Sequence, residues 1–419
     1  MPRAGIRVRH ARAVPAQRSA RRLLIVLMSQ AVDRDLFRRI QDQVAIVGIG
    51  HLPFAKDIGR PISDTAIEAI QLALDDAGLQ AEDVDGMCMF EMESTHEVTI
   101  ARGLGVKNLQ WWDKTSYGGG ASCATVMHAA AAIVTGLATT VVCHRARNRG
   151  AKTSRPWAQE KVLVTDDKAL HVPWGLIRPV DVIGMWAHRH MHEYGTTREH
   201  FGNVAIAARK HAHRNPYAMM RGRPLDMETY LNARVIGYPL HLYDCCLETD
   251  GALACVVTSI ERARDLKQRP ALVHAIAQAS GPNPVHLANY NTPHLETTAV
   301  PCAKQLWARS ELQPKDMNCA QIYDAFTPLV ILGLEDYGFC KRGEGGPFTE
   351  GGRIEWGGEL PVLTSGGGLS EAYVHGFNLI LEGVRQIRGT STAQVPNCKA
   401  TLVTGASGVA TSAMVLRAE

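Results

Sequence analysis

Three observations predict an α/β fold made of two copies of one unit. Buried-strand runs recur in the same order, amphipathic helices follow them, and a glycine triplet in each half opens a helix-like stretch. In the first copy Val44 to Gly50 reads as a buried strand, Thr65 to Ala77 as an amphipathic helix and Gly78 as its stop. Leu272 to Ile276 and Thr298 to Arg309 repeat that pair, with Pro301 near the helix start, where proline is tolerated. Leu79-Gln80 with Asp83 matches Leu312-Gln313 with Asp316 at a constant offset, and the same offset carries strand-like Met87 to Phe90 onto Ala320 to Tyr323. Gly118-Gly119-Gly120 answers Gly366-Gly367-Gly368, and the closing strands are Gly251 to Val257 and Gly408 to Val415. Mostly parallel sheets covered by helices on both faces are the expectation. Between the halves, Arg145 to Pro239 reads as an inserted cap or loop region, and glycine-rich Gly343 to Gly358 as a long irregular loop.

At 419 residues and 46% hydrophobic content, the chain can bury the core of two packed halves. Boundaries are expected at residues 43–268 and 269–419. Residues 1–42 stand apart: they hold Arg3, Arg7, Arg9, Arg12, Arg18, Arg21 and Arg22 and no acidic residue before Asp33, and they read as a disordered extension or an upstream translation artefact, with organellar targeting or a surface-binding arm as the alternative. The apolar run Leu23 to Met28 is too short to span a membrane. Ten cysteines without a Cys-x-x-Cys pair speak against a zinc ribbon or a disulfide framework and fit free thiols in a cytoplasmic protein. A net charge of +4, with no basic helix interleaved with aromatics, gives nucleic-acid binding no support. His188, His190 and His192 read as surface histidines: no carboxylate or cysteine spacing completes a site there, and no metal is expected.

A glycine turn leading into a helix presents unpaired backbone N–H groups that can hold an oxygen as it gains charge, and a phenol beside it can move a proton. Tyr323 and Tyr373 stand at such places, each with a polar neighbour, Asp324 and His375. The turn donors expected at an enolate or oxyanion are those around Gly119, Gly367, Gly405 and Gly408. Asp324 would orient Tyr323 or cap local backbone, and His375 would be a base or a surface group. Arg145, Arg147, Arg149, Lys152 and Arg155 form a basic cluster suited to the phosphates of an anionic ligand, or to a solvated face or dimer surface.

The motifs His192-Glu193-Tyr194-Gly195, Asp244-Cys245-Cys246 with Thr249-Asp250-Gly251-Ala252, Tyr323-Asp324-Ala325-Phe326-Thr327 and Thr364-Ser365-Gly366-Gly367-Gly368-Leu369-Ser370 resemble those of the thiolase superfamily. The branch is that of the sterol-carrier-protein-x thiolases and the lipid-transfer-protein-like steroid aldolases, and the resemblance covers about residues 43 to 419. It implies two βαβαβαββ halves in a layered αβαβα core. The departures are informative. Gly119 occupies the place of the family's nucleophilic cysteine, Tyr323 and Tyr373 replace its histidines, and Gly405 to Gly408 lacks its second cysteine. Without a thiolate there is no ping-pong acyl transfer. The resemblance implies an acyl-CoA retro-aldolase that splits a β-hydroxyacyl-CoA, a steroid 17-hydroxy-20-carboxyl-CoA, into a 17-ketosteroid and propionyl-CoA. Tyr323 is then the base on the β-hydroxyl and Tyr373 its partner, with the two roles exchangeable. It also implies no tightly bound cofactor, coenzyme A as part of the substrate, a homodimer, and a small OB-fold and zinc-ribbon partner. Two rival readings are a catalytically silent scaffold or lipid-binding subunit, and an acyltransferase using a shifted nucleophile such as Cys123.

Overall fold

Val44–His51 (β1) is a near-continuous apolar run because it is covered on both faces. One cover is Ile62–Ala77 (α1), which buries Ala66, Ala69, Ile70, Ala73, Leu74 and Ala77 at helical spacing and ends at Gly78 in the left-handed conformation. The computed structural model describes residues 39–148, 168–281 and 293–419. Within it, Ile40–Glu419 forms one compact unit. Ile40 and Asp42, assigned above to the extension, belong to this unit: Ile40 is buried, and Asp42 accepts from Arg417 Nε at 2.7 Å.

The first half continues with Gly86–Phe90 (β2), Glu97–Leu104 (α2), Trp111–Thr115 (β3), Ser122–Val134 (α3) and Thr140–Arg147 (β4). An inserted region holds Pro179–Tyr194 (α4), Arg198–Arg214 (α5) and a small ribbon of Val235–Gly237 with Leu240–His241, and Gly251–Ser259 (β5) closes the half. The second half runs through Ala271–Ala279 (β6), Ala299–Ala308 (α6), Cys319–Gln321 (β7), Thr327–Asp336 (α7), Phe377–Arg388 (α8), Ala400–Thr404 (β8) and Thr411–Arg417 (β9).

The duplication shows in the pairing. In one half β2 runs parallel to β3 and β4, β4 lies antiparallel to β5, and β5 antiparallel to β1. In the other, β7 is parallel to β8 and bridges Val362 in parallel, β8 is antiparallel to β9, and β9 antiparallel to β6. Even the connecting turns agree: Gln80 N donates to Asp83 Oδ2 at 2.9 Å, and Gln313 N to Asp316 Oδ2 at 2.8 Å. The sheet order β3-β2-β4-β5-β1-β6-β9-β8-β7 is therefore mixed, not mostly parallel, because β5 and β9 return antiparallel beside β1 and β6. The halves join where β1 meets β6, over the pairs Ala45↔Leu272 and Ile46↔Ala271.

Helices α3 and α8 each follow a glycine turn and pack on strands of both halves and on one another, which makes them the central layer. The stretch from Gly343 to Gly358 contains two short helical turns, Gly345–Phe348 and Glu350–Gly352. His190, expected at the surface, is buried between Thr196 Oγ1 at 2.8 Å and Glu335 Oε1 at 3.1 Å, and so ties α4 to α7.

Candidate active site

Strand β7 ends at Gln321, and the next residues, Tyr323 and Asp324, turn into the space between the two glycine turns. Tyr323 N donates to Thr404 Oγ1 at 2.9 Å, which fixes where the side chain leaves the backbone. Its phenol lies in the first turn. A Cβ built on Gly119 would fall 2.0 Å from Tyr323 Oη, so any side chain here would force the phenol out of its place. Tyr373 comes from beyond the second turn. Its N–H donates to Thr249 Oγ1 at 2.9 Å, and its carbonyl accepts from Arg147 Nη1 at 3.2 Å. The two phenol oxygens stand 2.7 Å apart, with rings at 71°.

Burial pushes the Tyr323 phenol well above its ordinary value, and the neighbouring Tyr373 adds to the rise. Burial also raises Tyr373, with Cys246 adding, while the hydrogen bond from Tyr323 and the charge of Arg147 pull it back. The Arg147 guanidinium lies 5.5 Å from the Tyr373 ring centre. The positive charge of Arg147 thus acts on Tyr373, and either phenol can donate in the pair.

Asp324 fills the second turn as Tyr323 fills the first. It accepts from Gly368 N at 2.8 Å and Leu369 N at 2.9 Å, and a Cβ on Gly367 would meet its Oδ2 at 2.3 Å. Burial pushes its carboxyl up to about 7 against those two amides. Three of the four expected enolate donors are thereby corrected, because their amides have acceptors inside the protein. Gly367 N donates to Ser365 Oγ at 3.4 Å, Gly405 N to Ser412 O at 2.7 Å and Gly408 N to Thr298 Oγ1 at 3.0 Å. The loop from Gly405 packs on the first turn, with Ala406 N donating to Gly119 O at 3.1 Å.

His375 sits edge-on to Tyr373, ring centres 5.4 Å apart. Its Nδ1 accepts from Arg145 Nε at 3.1 Å, so the proton of the neutral ring is on Nε2 and the group is a donor there, not a base. Arg145 is held in turn by an ion pair with buried Glu93, whose Oε1 also accepts from Ala146 N at 3.1 Å. This corrects the basic-cluster expectation for two members. Strand β4 runs on to Arg147, and Arg145 and Arg147, two apart, both turn inward to Tyr373 and His375. Arg149, Lys152 and Arg155 lie outside the described residues. Cys123 on α3 is wholly buried, donates to Val403 O at 3.5 Å and has its thiol pushed up by burial, the opposite of an activated nucleophile.

Sequence reasoning missed Glu93, Thr249 and the inward role of Arg147. The signal for Arg147 was the period of two along Arg145-Ala146-Arg147 at a strand end. Backbone strain also marks the site, since Tyr117 (φ 71), Leu363 (φ 59) and His375 (φ 52) are non-glycine residues in the left-handed region.

A family model described as "Thiolase C-terminal domain-like" matches residues 279–417. A 17-hydroxy-3-oxo-4-pregnene-20-carboxyl-CoA lyase of Mycobacterium tuberculosis is 45% identical over 90% of this chain and 100% of its own length. A steroid side-chain-cleaving aldolase of Thermomonospora curvata is 44% identical over 90% of this chain and 98% of its own. Among solved structures, an Ltp2-ChsH2(DUF35) aldolase aligns with TM-score 0.83 and 43% identity over 90% of this chain and 98% of that one. Human mitochondrial 3-ketoacyl-CoA thiolase in complex with CoA shares the fold, with TM-score 0.66 at 14% identity over 91% of this chain and 99% of that one.

Proposed function

The chain belongs to the thiolase superfamily, among its steroid side-chain-cleaving aldolases, and from that premise we propose that it is an acyl-CoA retro-aldolase. Its substrate is a steroid 17-hydroxy-20-carboxyl-CoA, and its products are a 17-ketosteroid and propionyl-CoA. The observation that carries this reading is the pair of phenols 2.7 Å apart in the space a nucleophile's side chain would need.

Both phenols titrate above their ordinary value near 10, so ionising either at pH 7 would cost more than about 4 kcal/mol, three units at 1.36 kcal/mol each. A relay through neutral phenols avoids that penalty. The β-hydroxyl proton passes to Tyr323, the Tyr323 proton passes to Tyr373, and the Tyr373 proton passes to the α carbon as the carbon-carbon bond breaks. Each phenol ends with one proton, and the β oxygen becomes the ketone. Partial charge left on Tyr373 during the last transfer is eased by the Tyr323 hydrogen bond and by Arg147. We assign the thioester oxygen to the donors beside Gly119, and His375 to donation through Nε2. Asp324 caps the second turn and so places Tyr373.

Coenzyme A enters as part of the substrate, and no tightly bound cofactor is needed for these steps. The exposed edge strand β3, with Trp112 56% exposed, supports a homodimer formed by edge pairing. A DUF35 partner is proposed from the name of the solved Ltp2-ChsH2(DUF35) aldolase, and the family resemblance implies that it is a small OB-fold and zinc-ribbon protein. No helix among the described residues is long and apolar enough to cross a membrane, and we place the reaction in the cytoplasm. We also place the boundary between the halves at residues 268 and 269.

Purified protein, alone and with its partner, given the steroid β-hydroxyacyl-CoA should release ketone and propionyl-CoA in equal amounts. No ketone under either condition would instead support a silent scaffold.

A further inference from the structure

Three metal-ligating side chains that take no part in the phenol site converge near the sheet edge from three elements. Cys88 on β2 and Asp113 on β3 are direct register partners, and His128 comes from α3. Their ligating atoms all lie within 4.8 Å of one another. Ligand atoms around a tetrahedral zinc, with bonds of about 2.0–2.3 Å, stand about 3.5 Å apart, a gap that small side-chain rotations close.

The orientation of the imidazole supplies a second observation. His128 Nε2 faces Gln278 Oε1 at 3.4 Å, the outer hydrogen bond that commonly fixes the tautomer of a ligating histidine. His128 Nδ1 lies against Asp113 Oδ2. An Nδ1–H donated to the carboxylate satisfies that contact when no ion is bound, and with the ring proton on Nε2 toward Gln278 the Nδ1 lone pair is free to take a metal ion beside the carboxylate. A dication bound there would displace the Cys88 thiol proton to solvent and cancel the charges of the resulting thiolate and of the Asp113 carboxylate.

We propose that Cys88, Asp113 and His128 bind a divalent transition-metal ion, with zinc the expected occupant. The sulfur and nitrogen donors disfavour magnesium and calcium. Cys88 is buried, while the side chains of His128 and Asp113 are 29% and 39% exposed, so a fourth position faces water. The ion would cross-link β2, β3 and α3 behind the strand assigned to the dimer. Spacing along the chain could not reveal this site, because its ligands are 25 and 15 residues apart (113 − 88 and 128 − 113) and meet only through strand register.

The test uses the full, untagged chain, stripped with a chelator and titrated with Co2+. One equivalent should bind with a thiolate-to-cobalt charge-transfer band in the near ultraviolet, and Zn2+ should displace it. Cys88→Ser should abolish the band, and Asp113→Asn should weaken binding at least about tenfold, with ketone release unchanged in both. Absence of stoichiometric binding at micromolar Co2+, or a band that survives Cys88→Ser, would overturn the proposal. If Cys88→Ser does not fold, the half-exposed Asp113→Asn variant decides, and unchanged affinity there overturns the proposal equally.

Discussion

The two glycine turns are copies of one device, yet each is filled by a different neighbour. The first, at Gly118 to Gly120, receives the Tyr323 phenol where a side chain at Gly119 would stand. The second, at Gly366 to Gly368, receives the Asp324 carboxylate, which takes the amides of Gly368 and Leu369. Adjacent residues at the end of one strand thus plug both turns. The difference teaches that glycine at 119 makes room for a phenol, the one to which the proposed relay gives the β-hydroxyl proton, whereas glycine at 367 makes room for a cap.

The comparison breaks first on the phenols. Tyr323→Phe should lower ketone formation about 10²- to 10⁴-fold with the fold intact by circular dichroism. The double variant with Tyr373→Phe should fall little further, because a relay fails as a unit. Losses that multiply would mean two independent roles. Next, Gly119→Ala should cost about 100-fold in rate by displacing Tyr323, with a small change in melting temperature. Gly367→Ala, which adds a Cβ at φ 57 against Asp324, should instead act on stability, by about 1–3 kcal/mol in urea unfolding. An inactive Gly367→Ala of normal stability would erase the distinction. Arg147→Met should lower the rate about tenfold and leave binding of the substrate close to normal, measured as a change in kcat against KM.

A separate handle on the second turn is its pH dependence. Asp324 has a folded value of about 7, above its unfolded value near 4, so the folded state holds its proton more tightly. Stability from this group is full below about pH 4 and is lost as pH rises through about 7. Asp324→Asn should remove that slope from urea unfolding measured between pH 4 and 8, and an unchanged slope would deny the buried carboxyl its titration.

Much of this was legible in the residues. The repeat of strand, helix and glycine triplet located both halves, and the two tyrosines were found by what they replace. The basic cluster misled, because Arg145 and Arg147 look like a solvated run until β4 is extended through them and their common inward face appears. The enolate donors at Gly367, Gly405 and Gly408 were overread for a related reason. A glycine amide advertises itself in sequence, but its acceptor, Ser365, Ser412 or Thr298, is revealed only by tertiary contact.

The fit of Tyr323 into Gly119 also limits which mutational paths are open to this chain. A cysteine placed at 119 collides with the aromatic ring, and shrinking residue 323 alone leaves a void and no nucleophile. A return to thiolase chemistry would therefore demand coordinated codon changes at both positions, an epistatic barrier built from a 2.0 Å approach.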